Sequence, residues 1–209
     1  MWDLILAGRY MMIPIALCSF IGLAVFLERL LVLRRRRIVT PEIASAVKTL
    51  GRASDFSVAY AVCDQNPGPF ANVVRAGLDH ADNEWEITRD VMQEVGRQEA
   101  VRLTRNLRVL ETIAAVAPLL GLLGTVVGMI RVFAAVSQAG LGNPEVLSSG
   151  ISEAMVTTAA GLIVGIPALV SHNWLEGRAH AIIFDIEVYA TQVLDTLRAK
   201  RQARQAGAL

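Results

Sequence analysis

Charge is missing from three long stretches of this 209-residue chain: Tyr10–Leu27, Thr112–Ile130 and Ala154–Leu175 hold no Asp, Glu, Lys or Arg. Each approaches the ~20 apolar residues that carry a helix across a bilayer. One such stretch could be a buried soluble helix, but three make a polytopic membrane protein. Cysteine is scarce as well. Cys18 lies in the first stretch and Cys63 in the long loop after it, so a bridge between them would collapse that topology, and both read as packing residues. The three histidines, His80, His172 and His180, are scattered, which excludes metal-ligand spacing. No nucleophile–base pair is present, and the glycines follow no GxxxxGK[ST] phosphate-loop spacing. These absences argue against an enzyme, a metal site and a cofactor. With a net charge of +1, the chain offers no overall basic field for nucleic acid.

Hydrophobic residues make up 54 % of the chain and the mean hydropathy is +0.46, too apolar for an ordinary soluble domain of this size. The first stretch has only Arg9 ahead of it, lacks a small-x-small cleavage site and ends in Arg34–Arg37. It reads as an uncleaved anchor with a stop-transfer tetrad. Lysine and arginine crowd the long loop and the C-terminal tail, whereas the link from Val132 to Glu153 has none. The positive-inside bias therefore puts the N-terminus and short link outside, and the long loop and tail inside. The expected fold is all-α: a polytopic membrane protein with three transmembrane helices, two of them extended far into the cytoplasm. Its segments are an outer N-terminus (1–9), helix 1 (10–33), an inner helical loop domain (34–109), helix 2 (110–134), a short outer link with the start of helix 3 (135–150), helix 3 (151–175) and an inner helical tail (176–209).

In the inner loop, Thr40-Pro41-Glu42 is a helix start and Asn66-Pro67-Gly68-Pro69 a break. From Asn83 the pattern continues without a breaker to Phe133, which predicts one helix of about 75 Å at 1.5 Å per residue. Asn143-Pro144-Glu145 predicts an early start for the third helix, continuing to about Arg198. The short link makes the second and third spans an antiparallel hairpin.

On a helical wheel, Ala114, Pro118, Gly121, Thr125, Gly128 and Val132 share one side of the second span. Gly150, Ala154, Thr158, Gly161 and Gly165 share one side of the third. The small-x-x-x-small pairs Gly124/Gly128 and Gly161/Gly165 let helices approach closely, so Gly121, Gly124, Gly128, Gly161, Gly165 and Pro118 are packing candidates. Glu153 is harder to explain by packing. An intramembrane carboxylate usually faces a cavity or partner; the bland alternative is an outer interfacial residue pairing with Arg131. Glu153 and Thr158 are five residues apart, about 140° on a straight helix, whereas Thr157 shares the face of Glu153 better. Hydroxyls orient protons and water without bearing charge. No carboxylate lies at mid-bilayer, so a mid-membrane proton carrier would belong to another polypeptide.

The blocks APLLGLLGTVVGMI (Ala117–Ile130) and ISEAMVTTAAGLIVGIP (Ile151–Pro167) resemble the second- and third-span signatures of the MotA/TolQ/ExbB proton-channel family. NPGPFANVVRAGL (Asn66–Leu78) and RVLETIAAVAP are similar to its ExbB branch. The resemblance implies a subunit of a bacterial inner-membrane motor, with a periplasmic N-terminus and cytoplasmic C-terminus. It also implies a homo-pentamer around a single-span ExbD-like partner that supplies an essential aspartate, and a TonB-like transducer. By motif, Thr125 and Thr158 resemble polar lining residues beside that aspartate, and Glu153 the glutamate near the outer entrance. Arg131 departs from the pattern. The implied function is coupling of proton motive force to TonB-dependent transport. The alternatives are a TolQ-like role in the Tol–Pal system, a partner-independent channel or transporter, and a purely structural scaffold.

Overall fold

The computed structural model describes residues 11–33, 43, 45, 56–139, 144–205 and 207, and side chains among them except at 138–147 and 204–205. The tetrad Arg34–Arg37, Arg9, the Thr40-Pro41-Glu42 start and Asn143 lie outside the described residues. Among those described, all regular structure is helical: α1 (Met12–Val32), α2 (Ser57–Gln65), α3 (Pro69–Asp79), α4 (Trp85–Thr104), α5 (Leu107–Ala139) and α6 (Pro144–Gln205). Three stretches are long and apolar enough to cross a membrane: Met12–Val32, Trp85–Ser137 and Ser148–Ala203. The chain is an integral membrane protein, and two of these stretches, at 53 and 56 residues, far exceed what a bilayer requires.

The helix expected from Asn83 to Phe133 begins instead at Trp85 and is interrupted by a turn at Arg105–Asn106. No glycine or proline marks this interruption. Asparagine competes with helix by offering its side chain elsewhere; the Asn106 amide here donates to both carboxylate oxygens of Glu28 on α1, at 3.1 and 3.2 Å.

The chain divides into two compact units, Met1–Leu30 with Asn106–Leu175, and Leu31–Arg105 with Glu176–Leu209. The first holds α1, α5 and the early part of α6. Its core is thin: Ile113, Ala117 and Ala168, with Cys18, Ala114 and Val164 packed against them. Phe20, Leu119, Ile130, Phe133, Ile163 and Val170 are exposed, an arrangement suited to lipid or further protein and costly in water.

What joins α5 to α6 is the pair of small-residue faces. A Cβ built on Gly161 would lie 2.6 Å from the Ala117 carbonyl oxygen, and one on Gly121 2.9 Å from that of Thr157. One on Gly124 would meet Thr157 Oγ1 at 2.5 Å, one on Gly128 the Ala154 Cβ at 3.0 Å, and one on Gly165 the Pro118 Cγ at 2.6 Å. Gly150 is likewise blocked by Val132. At Gly161 and Gly121 the obstacle is backbone, which cannot swing aside.

The second unit contains α2, α3, α4 and the later part of α6. Proline at the start of α3 fits the first helical turn, where its missing N–H is not needed. Phe70 is fully buried and packs its ring against Tyr189, centroids 5.4 Å apart. Val73, Val74, Met92, Ile182 and Val193 are also buried. Thr88 Oγ1 donates to the His80 carbonyl at 2.7 Å, fastening the α3–α4 turn. Glu99 is buried, accepting from Asn72 at 3.0 Å and pairing with Arg102 at 2.8 Å. On the α2 side, Tyr60 donates to Asp79 at 2.8 Å. Burial and that carboxylate push its phenol up to about 12. Cys63 is buried; loss of solvent, then the neighbouring Asp64 charge, raise its thiol, against a smaller lowering by Arg75.

Gly161→Ala should separate α5 from α6 and lower the thermal stability of the detergent-purified protein. Gly96→Ala on α4, where nothing lies within 4 Å of the added carbon, should instead gain about 0.5–1 kcal/mol of helix propensity. For Cys63, alkylation followed by mass spectrometry at pH 8 should be slower than for an exposed thiol of pKa about 8.5. The rate should rise with pH, and Asp64→Asn should speed it.

Candidate functional site

Along the α5–α6 seam, two hydroxyls interrupt the run of glycine and alanine. Thr125 on α5 and Thr158 on α6 are both half-buried, and their Oγ1 atoms touch each other. Thr125 Oγ1 also reaches the Ala154 carbonyl across the seam at 3.2 Å and the Gly121 carbonyl of its own helix at 3.3 Å. Thr158 Oγ1 donates to the same Gly121 carbonyl at 3.1 Å. Each hydroxyl carries one hydrogen, so several acceptors compete for two protons. More than one hydrogen-bond arrangement is open to this pair without a change of helix packing. These side chains meet because Gly121 lets the backbone at Thr157 and Thr158 come close.

Thr157 behaves differently. It is almost fully buried, donates to Ala154 O at 2.7 Å and fills the space left by Gly124. Sequence reasoning placed Thr157 on the face of Glu153; in the structure it is a packing residue, and Gly124 opposite is the signal for that role.

Glu153, partly exposed, pairs with Arg131 at 3.4 Å, an ion pair between α6 and α5. Arg131, which resemblance left without a place, is thus the observed neighbour of Glu153. A pair this exposed contributes only ~0–1 kcal/mol in water; its consequence is local charge balance at that end of the hairpin. Thr125, Thr158 and the seam glycines with Pro118 are brought together, and Glu153 lies 5 residues before Thr158 on α6, about 7.5 Å along its axis.

Towards the other end, α6 carries His172, buried, with Nδ1 3.1 Å from the Leu107 carbonyl. Sequence reasoning set this histidine aside for want of a metal partner. Its helical phase relative to Thr158 was the signal that would have found it. At this same end of the first unit, Phe26 and Trp174 pack at 6.5 Å, and Glu28 pairs with the buried Arg29 at 3.4 Å.

The model of the MotA/TolQ/ExbB proton channel family matches residues 65–188. An ExbB-like biopolymer transport protein of Synechocystis is 35 % identical over 175 residues, covering 80 % of this chain and 67 % of its own length. The ExbB biopolymer transport protein of Salmonella typhimurium is 29 % identical over 182 residues, 79 % of this chain and 71 % of its own. The Tol-Pal system protein TolQ of Haemophilus influenzae is 37 % identical over 95 residues, 46 % of this chain and 42 % of its own. Among ExbB-type relatives the chain spans from 32 to 71 % of their length, with the matches that run over most of this chain at 62 to 71 %. With a glycine-lined helix hairpin, a hydroxyl pair in its seam and a family match over more than half its length, the chain belongs to the MotA/TolQ/ExbB proton channel family, a family of transport proteins and not of enzymes.

Proposed function

We propose that this chain is the proton-channel subunit of an inner-membrane motor. It works as a homo-pentamer with a single-span ExbD-like partner and a TonB-like transducer, coupling proton motive force to transport across the outer membrane. Its N-terminus is periplasmic and its C-terminus cytoplasmic. The observation that carries the reading is the Thr125–Thr158 hydroxyl pair with its competing carbonyl acceptors. These hydroxyls can turn to a partner's carboxylate while the carbonyls they leave stay bonded within the helices. The chain has no carboxylate of its own within Thr112–Ile130 or Ala154–Leu175, so the proton is carried there by the partner's acid. Glu153, held by Arg131, supplies the outer approach.

A proton reaching the partner's carboxylate neutralises it; its release towards the cytoplasm restores the charge. Alternation between the two states changes how tightly that helix sits against the seam, which is the mechanical step. Each charge moved is worth about 2.3 kcal/mol per 100 mV, so a large stroke draws on several protons. The resemblance to ExbB proteins over most of the chain favours TonB-dependent transport. The shorter resemblance to TolQ supports a second reading, the Tol–Pal envelope system.

In vesicles holding this chain with its single-span partner, Thr125→Val, Thr158→Val and Glu153→Ala should each cut proton flux about tenfold or more, with assembly unchanged. Thr→Ser at either position should retain flux. Full flux in both Thr→Val variants overturns the pathway, and conduction by the chain alone overturns the need for a partner. In cells, loss of metal-chelate uptake supports the TonB-type role; loss of envelope integrity with uptake intact supports the TolQ-type role instead.

A further inference from the structure

The face of α6 that bears Thr158 does not end at the seam glycines. Gly165 follows 7 residues later and His172 after 14, about 20° and 40° out of phase with Thr158 at 100° per residue. His172 therefore sits some 21 Å further along nearly the same line, and its contact is again a carbonyl of α5. Three backbone oxygens of α5 mark the line: Gly121 beside Thr158, Ala114 beside Gly165, and Leu107 beside His172. The middle one is special. Pro118 has no N–H to give to the Ala114 carbonyl four residues earlier, and at Gly165 a Cβ would stand only 3.3 Å from that oxygen. Proline on one helix and glycine on the other thus place an acceptor without its helical donor between the hydroxyl pair and the imidazole.

His172 is 8 % exposed and is the one imidazole in the three uncharged stretches. A carbonyl only accepts, so Nδ1 carries the hydrogen in the Leu107 bond. Among the described residues, the ionisable groups at this end of the first unit are Glu28 and the buried Arg29 on α1, paired at 3.4 Å, and Arg108 and Glu111 on α5, both exposed; on α6 itself Glu176 follows one turn after His172. Glu28 is further held by Asn106, the residue before Leu107. A neutral packing residue would serve the Leu107 contact equally well, whereas an ionisable ring inside a span is costly unless it is used.

We infer that His172 is a proton-relay residue of the channel, receiving protons that have passed the threonine pair and releasing them at the inner face. This rests on the pathway proposed above. An imidazole can take up and give back a proton at its ring nitrogens, which a threonine hydroxyl does not do at ordinary pH.

The test uses the full chain assembled with its single-span partner in oriented, sealed vesicles. His172→Gln keeps a hydrogen-bond donor for the Leu107 carbonyl but cannot titrate. It is expected to reduce proton flux about tenfold and to abolish the dependence of flux on inner-face pH between about 5.5 and 7.5. Nitrogen-15 NMR of an assembly carrying His80→Gln and His180→Gln, leaving one imidazole, should show the ring following inner-face pH and ignoring outer-face pH. Unchanged flux and pH profile in His172→Gln overturn the inference. So does a ring that holds one protonation state across that range or follows the outer pH, a result readable even if His172→Gln fails to assemble. Failure of the threonine pathway shows separately, as full flux in Thr158→Val.

Discussion

Close approach of α5 and α6 is the constraint on which the other features depend. Lipid supplies no hydrophobic drive for two apolar helices to associate, so their contact rests on packing and on hydrogen bonds across the seam. Glycines at 121, 124, 128, 161 and 165 remove the side chains that would hold the backbones apart, and the carbonyls of Ala117, Thr157 and Ala114 come within reach of the facing helix. Only at that separation do the two threonine hydroxyls meet and share acceptors. A bulkier seam would leave each hydroxyl bonded to its own helix, as Thr112, Thr191 and Thr196 are elsewhere in the chain.

The seam also shows how a channel subunit avoids the cost of burying charge. Its polar groups between the ends are hydroxyls and carbonyls, which stay neutral and satisfy one another. Charge is confined to the ends: Glu153 balanced by Arg131, and Glu28 balanced by Arg29 and held by Asn106. On the proposed pathway, a proton in transit would be the one mobile charge, with neutral acceptors offered to it in sequence. The glycine faces therefore do two jobs, bringing helices together and baring backbone oxygens.

Much of this was legible in the chain. Three uncharged stretches led to three candidate spans, because run length is a direct reading of bilayer thickness. The glycine and alanine phases named the faces of α5 and α6 that touch, since helical geometry leaves few alternatives. The interruption at Arg105–Asn106 was hidden: no glycine or proline marks it, and its partner, Glu28, is 78 positions away. Thr157 was assigned by phase to the Glu153 side, yet burial against Gly124 decides its role. His172 was overlooked for a related reason. Its partner, the Leu107 carbonyl, is 65 positions away, and the spacing of the histidines carries no trace of that contact.

The most direct test is an experimental structure of this chain assembled with its single-span partner in lipid. The proposed pathway places the partner's membrane carboxylate within hydrogen-bond distance, about 3 Å, of the Thr125 or Thr158 hydroxyl, in a gap that admits water. Hydroxyls turned to acyl chains, or a sealed hydrocarbon centre with no place for an acidic helix, would contradict it.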